Sequence, residues 1–118
     1  MRKRKSILKP MGIMATCLIM LNGLTSTSSS TDHKISISNF TFSPSVLNIK
    51  VGDSVIFVNE DNVPHTATHI TMQKEMRVFD TKSLDQLQKG KITLNNTGNY
   101  TYNCSIHPTM EGKIVVRK

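Results

Sequence analysis

The sequence contains little of several residue types, and each shortage argues against a class of protein. It has no tryptophan, 5% aromatic residues, six glycines and four prolines, a composition unlike that of collagenous or low-complexity chains. Its two cysteines are too few for a disulfide-dense scaffold. The 118 residues allow one small domain, so a multidomain enzyme is not expected.

The formal net charge of +7 is concentrated near the amino terminus. Residues 1–10 hold five of the fifteen lysines and arginines and no acid, residues 11–24 are almost entirely apolar, and the small polar run TSTSSST follows. This order is typical of a secretory signal peptide. The apolar run is shorter than the roughly 20 residues that span a bilayer. We therefore predict a signal peptide over residues 1–30, cleaved near 27–31, with an uncleaved anchor as the alternative.

Removal of this segment changes what the charge and the cysteines mean. The domain over residues 31–118 keeps ten lysines and arginines against eight acids, a net charge of about +2. No basic stripe interleaved with aromatics remains, so no nucleic-acid partner is expected. The mature form has no predicted membrane span, its location is periplasmic or otherwise exported, and Cys104 is its single cysteine.

Beyond His33 the chain alternates short β-branched segments with turn residues, which is typical of strands. We predict an all-β sandwich of seven or eight strands, one of them over residues 65–72. Residues 83–89 favour a helical turn that Gly90 can stop. Met72 and Met76 are assigned to strand packing, with soft copper ligation as the alternative.

A cluster of sulfur and imidazole groups occurs in the run C-S-I-H-P-T-M, residues 104–110. Its spacing lets one loop direct a thiolate, an imidazole and a thioether to one point. His65, in the upstream run PHT, can supply a second imidazole. Two histidines, one cysteine and a weak axial methionine form the ligand set of a blue-copper site. Zinc is the alternative, although structural zinc prefers cysteine and histidine. His69 is expected to lie on a strand without binding metal.

Three motifs resemble the small type 1 blue-copper proteins of the cupredoxin family, of the amicyanin, plastocyanin and pseudoazurin type and most like amicyanin. They are F-x-P-x-x-L-x-I-x-V-G-D-x-V-x-F-x-N over residues 42–59, PHT over 64–66, and G-x-Y-x-Y-x-C-x-x-H-P-x-M-x-G-K over 98–113. The resemblance implies a Greek-key sandwich of about eight strands holding one type 1 copper ion. The implied ligands are His65, Cys104, His107 and Met110.

The resemblance also implies which residues surround the ligands: Asn59, Thr66 and Pro108. Thr66 stands where the family usually has an asparagine that ties the two ligand loops together. The backbone N–H of Thr66 is still expected to donate to the Cys104 sulfur.

By the same resemblance, His107 is the partly exposed ligand through which an electron leaves. The docking surface is then a mostly apolar collar of Val63, Pro64, Ile106, Pro108 and Thr109. We expect Glu60, Asp61 and Glu111 to steer a basic partner.

These inferences predict an exported, monomeric electron carrier that is not an enzyme. It would cycle copper between Cu(I) and Cu(II) and dock transiently with redox partner proteins around His107. The alternative is a copper-binding or delivery protein. A mature chain beginning Thr31-Asp32-His33 would favour that alternative, because a free amine followed by a third-position histidine chelates Cu(II).

Overall fold

Eight strands form in residues 29–118, the part of the chain that the computed structural model describes. They are β1 Asp32–Ser38, β2 Thr41–Ser43, β3 Val46–Lys50, β4 Ser54–Asn59, β5 Thr68–His69, β6 Lys89–Thr93, β7 Gly98–Asn103 and β8 Glu111–Arg117. Buried and exposed residues alternate along most of them, because successive side chains of a strand point to opposite faces. The prediction of an all-β fold is confirmed. Residues 1–28 of the predicted signal peptide lie outside the described residues.

The strands form two sheets of four, and neighbours in each sheet are often distant in sequence. One sheet has the order β2-β1-β4-β6 and the other β3-β8-β7-β5. β1 pairs in parallel with β4 and β3 in parallel with β8, whereas the remaining pairs are antiparallel. Such non-sequential neighbours are those of a Greek-key sandwich, as the resemblance implied. Buried apolar side chains from both sheets fill the space between them, among them Ile35, Phe57, Tyr102 and Ile114.

Residues 65–89 differ from the predictions made for them. The strand expected over 65–72 is only Thr68–His69, and Met72 and Met76 are 101% and 64% exposed, so their assignment to strand packing was wrong. The helical turn expected over 83–89 was also misplaced, since the one-turn 3-10 helix of this region is Lys74–Met76. Leu84 instead pairs with His65 through two backbone hydrogen bonds. A turn does form at residues 85–88, where the Gln88 N–H donates to the Asp85 carbonyl at 2.9 Å. It is not helical, because Leu87 within it has a positive φ of 69°.

The connection between β1 and β2 is a two-residue turn that the sequence did not reveal. Asn39 and Phe40 have φ values of 54° and 57°, and Ser38 pairs with Thr41 on either side of them. Two positive φ values are those of the type I′ hairpin turn, for which Asn-Gly is the usual signal. Phenylalanine rarely adopts this conformation, which is why the pattern gave no indication of β2.

Within residues 29–118, no helix combines the length and apolar character that crossing a membrane requires.

Candidate metal centre

His65 follows the loop that leaves β4, and two backbone hydrogen bonds join it to Leu84. Its N–H donates to the Leu84 carbonyl at 3.1 Å, and the Leu84 N–H donates back to the His65 carbonyl at 2.8 Å. Asn59, at the end of β4, donates from Nδ2 to the carbonyls of Val63 and Leu84 at 2.8 and 2.7 Å. The buried Asn59 amide thus closes the loop and places the His65 ring at one end of the sandwich.

The Asp61 carboxylate orients the His65 ring. Oδ2 of Asp61 lies 2.9 Å from Nε2 of His65, whose side chain is fully buried. Burial raises the pKa of Asp61, but the backbone N–H groups of Phe40 and Asn39 and the His65 ring outweigh that effect and lower it. Asp61 is therefore ionised at neutral pH, and its carboxylate accepts a hydrogen bond from the Nε2–H of His65. A hydrogen bond from Nε2–H leaves Nδ1 available to a metal ion, as in metal sites that have a carboxylate behind the histidine.

The loop after β7 carries the other three predicted ligands. The Cys104 N–H donates to the Met110 carbonyl at 3.1 Å, and the Met110 N–H donates to the His107 carbonyl at 2.9 Å. These two bonds close residues 104–110 into a tight loop at the same end of the molecule as His65. Cys104 and Met110 are buried within it, and His107 is partly exposed.

The fold brings a thiol and two imidazoles to one point. Nδ1 of His65 and Nδ1 of His107 each lie 3.8 Å from Sγ of Cys104, and the three donor atoms lie within 4.8 Å of one another. Bonds of about 2.3 Å to sulfur and about 2.0 Å to nitrogen, set at roughly 120°, place those atoms about 3.8 Å apart. The spacing therefore fits one metal ion in a trigonal S and N set.

Thr66 links the two ligand segments through both its backbone and its side chain. Its N–H lies 3.3 Å from the Cys104 sulfur, as the resemblance implied. Its hydroxyl oxygen accepts the Ser105 N–H at 2.8 Å and lies 3.1 Å from the Ser105 hydroxyl. The threonine thus ties the loop of Cys104 to the segment of His65 in place of the family's asparagine.

These features are those of a known fold family. The family model described as a cupredoxin-like domain matches residues 11–116. The chain belongs to the cupredoxin-like family. Cupredoxins bind copper, and the group of His65, Cys104 and His107 is consistent with a type 1 site.

Similar proteins include amicyanins and a copper enzyme. Amicyanin from Paracoccus denitrificans is 28% identical over 82 residues, which cover 70% of this chain and 63% of that relative. A solved structure of an oxidised amicyanin mutant matches with a TM-score of 0.67 at 28% identity, covering 73% of this chain and 82% of the other. A copper-containing nitrite reductase from Thermus scotoductus SA-01 matches with a TM-score of 0.68 at 33% identity. That match covers 80% of this chain but 24% of the reductase.

The residues predicted for the docking collar lie next to the predicted ligands in sequence and are largely exposed. Pro64, Ile106, Pro108 and Thr109 are exposed and Val63 is partly so. Asp61, expected to steer a partner, instead faces inward and bonds His65. Glu60 lies on the surface beside Lys34, with 3.5 Å between carboxylate and ammonium.

The sequence analysis did not predict that Phe40 contacts the two histidines or that Asp61 faces inward. The Phe40 ring lies 5.0 Å from the ring of His65 and 5.0 Å from that of His107, nearly perpendicular to both. Phe40 lies 25 positions before His65 in the chain, so no local motif links the two residues. The only available signal for Asp61 was its position four residues before His65, which alone does not specify a contact.

The other two histidines are engaged elsewhere. Nδ1 of His69, in β5, accepts the Val78 N–H at 3.1 Å, and its ring stacks on Phe79. Burial lowers the pKa of His69, and the charge of Arg77 adds to this. Nε2 of His33 lies 2.9 Å from the Asp53 carboxylate. Both rings lie outside the cluster of His65, Cys104 and His107.

Proposed function

We propose that this chain is an exported type 1 copper protein that carries single electrons between redox partners. The observation that supports it best is the convergence of one thiol and two imidazole nitrogens, each Sγ to Nδ1 separation being 3.8 Å. His65, Cys104 and His107 would hold the ion, with Met110 as the weak axial ligand expected from the motif. Bound copper supplies a one-electron change between Cu(I) and Cu(II).

The surrounding residues suit a site that changes oxidation state with little movement. The Thr66 N–H donates to the Cys104 sulfur, the Asp61 carboxylate fixes the His65 ring, and hydrogen bonds close the loop over residues 104–110. The partners of His65 and Cys104 belong to segments that are themselves hydrogen-bonded to the sandwich. Such a preset ligand geometry keeps reorganisation small when the charge changes.

The difference in exposure among the ligands favours a carrier over an enzyme. Cys104 and His65 are fully buried, while His107 is partly exposed. An electron can leave through the exposed edge of His107, whereas a substrate has no direct approach to the buried thiolate. The enzymatic relative is a much longer chain, of which this fold matches 24%.

A monomer is expected to meet its redox partners through the collar of Val63, Pro64, Ile106, Pro108 and Thr109. Transient electron-transfer complexes bury small interfaces, typically under about 1,200 Å². An exposed, mostly apolar surface beside His107 fits such brief encounters. Export rests on the amino-terminal pattern of basic, apolar and small polar residues, and the periplasm is the compartment we propose.

The delivery alternative receives less support, because its amino-terminal chelate competes with bonds of the fold. The Thr31 N–H and the His33 ring both bond the Asp53 carboxylate, each at 2.9 Å. A Cu(II) chelate on Thr31-Asp32-His33 would take the amides of Asp32 and His33 as ligands, so it would have to pull both residues out of their pairing with β4.

An optical spectrum with Cu(II) tests the proposed function. The wild-type protein is expected to turn intensely blue, because the colour requires a copper-thiolate bond. Cys104→Ser should remove the colour and keep the strand signal in circular dichroism. Thr101→Ser, at an exposed position of β7, is the control and should stay blue. A colourless wild type, or a blue Cys104→Ser protein, would contradict the assignment.

A further inference from the structure

Phe40 is an exposed aromatic residue in contact with both histidines of the copper site. Phe40 is 48% exposed, yet the centroid of its ring lies 5.0 Å from the ring centroid of His65 and 5.0 Å from that of His107. The two imidazoles are themselves 5.1 Å apart, so the three rings form a nearly equilateral triangle. His65 is fully buried, which places the Phe40 ring between that histidine and solvent.

Two contributions to the free energy disfavour this position of Phe40. A phenylalanine at φ 57° lies in the left-handed region that bulky residues avoid, and exposure of its ring forgoes the gain from burying apolar area. The Asp61 carboxylate offsets the first contribution by accepting the N–H groups of Asn39 and Phe40 at 2.8 and 3.0 Å. The same carboxylate bonds the His65 ring. One anchor therefore fixes both the turn and the ligand beneath it.

We propose that Phe40 is a positioning residue that seals the copper site. Its ring packs against the two imidazoles, holds His107 in register with His65, and keeps small solutes from the Cys104 sulfur 3.8 Å beyond them. This inference rests on the proposed function in one respect: the site that the Phe40 ring covers is taken to be the copper site. The seal itself consists of contacts between protein rings, so it can be tested on the apoprotein.

The first test measures how fast Cys104 reacts with iodoacetamide in the apoprotein, followed by mass spectrometry of the peptide that contains it. Alkylation requires the thiolate to reach the reagent carbon and displace iodide, and Cys104 is 0% exposed. Loss of two edge-on aromatic contacts in Phe40→Ala is expected to speed the reaction by about tenfold or more under native conditions. Phe40→Leu keeps part of the cover and should give an intermediate rate.

Leu87→Ala is the matched control. Leu87 is also an apolar side chain, 69% exposed, on a turn residue with positive φ of 69°, and its substitution should leave the rate unchanged. Unfolding by urea is measured for every variant, so that a faster reaction at unchanged stability reports local opening. If Phe40→Ala fails to fold, the leucine variant alone decides. Wild-type alkylation rates in the folded Phe40 variants would overturn the proposal.

The second test adds azide to the copper-loaded protein and follows the spectrum. Phe40→Ala should bind azide at least about tenfold more tightly than the wild type and Leu87→Ala. Equal azide affinity in all three blue proteins would overturn the seal and leave the copper function standing. Fast alkylation in the alanine variant, with no blue colour in any protein, would uphold the seal and defeat the proposed function.

Discussion

Replacing Thr66 by valine tests whether its hydroxyl joins the two ligand segments. Valine has nearly the same shape, so the change removes one oxygen and little else. That oxygen accepts the Ser105 N–H at 2.8 Å and lies 2.9 Å from the Thr68 hydroxyl and 3.1 Å from that of Ser105. Thr66 is 4% exposed, so water cannot readily replace these bonds. The backbone N–H to Cys104 is unaffected.

The magnitude follows from which groups lose their partners. A polar group left unpaired in a buried place costs about 1–3 kcal/mol, and the added methyl group of valine recovers roughly 0.8 kcal/mol by burial. We therefore expect the free energy of unfolding of the apoprotein to fall by roughly 0.2–2 kcal/mol. In a domain of this size each kcal/mol lowers Tm by about 4–8 °C. The blue colour should persist, because no ligand changes.

Urea unfolding of the apoprotein measures this loss without any contribution from the metal. Thr101→Val, on an exposed face of β7, is the control and should stay within about 0.5 kcal/mol of the wild type. Ser105→Ala should lose less than Thr66→Val, because the Ser105 N–H keeps its acceptor. A Thr66→Val protein as stable as the Thr101→Val control would refute the role assigned to the hydroxyl.

Two further predictions concern the end opposite the ligands and the strand pair beneath them. The His33 ring and the backbone N–H groups of Thr31 and Lys50 lower the pKa of Asp53 from 3.8 to about 2. Its stabilising effect is therefore present above pH 3.8 and lost as the pH falls through about 2, and the gap in stability between wild type and Asp53→Asn should close over that interval in urea titrations. A gap that stays constant would contradict this linkage. A Cβ on Gly112 would overlap the hydroxyl of Tyr102, so Gly112→Ala should lower stability by about 1–3 kcal/mol or more. Tyr102→Phe should restore part of the loss, and an unchanged Gly112→Ala protein would exclude the overlap.

Local patterns sufficed where the relevant residues are close in sequence. Alternation predicted an all-β fold, because strand periodicity depends on each segment alone. The same patterns failed over residues 65–89, where the backbone of Leu84 bonds His65 in place of forming a helical turn. A helical propensity of a few tenths of a kcal/mol per residue is easily outweighed by paired backbone bonds with a distant segment.

In the candidate site, too, some features depend on neighbouring residues and others on distant parts of the chain. The types of donor and their spacing along residues 104–110 are properties of the sequence, and by themselves they indicate copper. The tertiary structure decided what depends on distant partners: the approach of His65 to a cysteine 39 positions away, the inward turn of Asp61, and the cover by Phe40. These contacts join β1, β4 and β7, whose pairing is set by the packing of two whole sheets. No short segment carries that information, because the free energy that selects it comes from burying the common core.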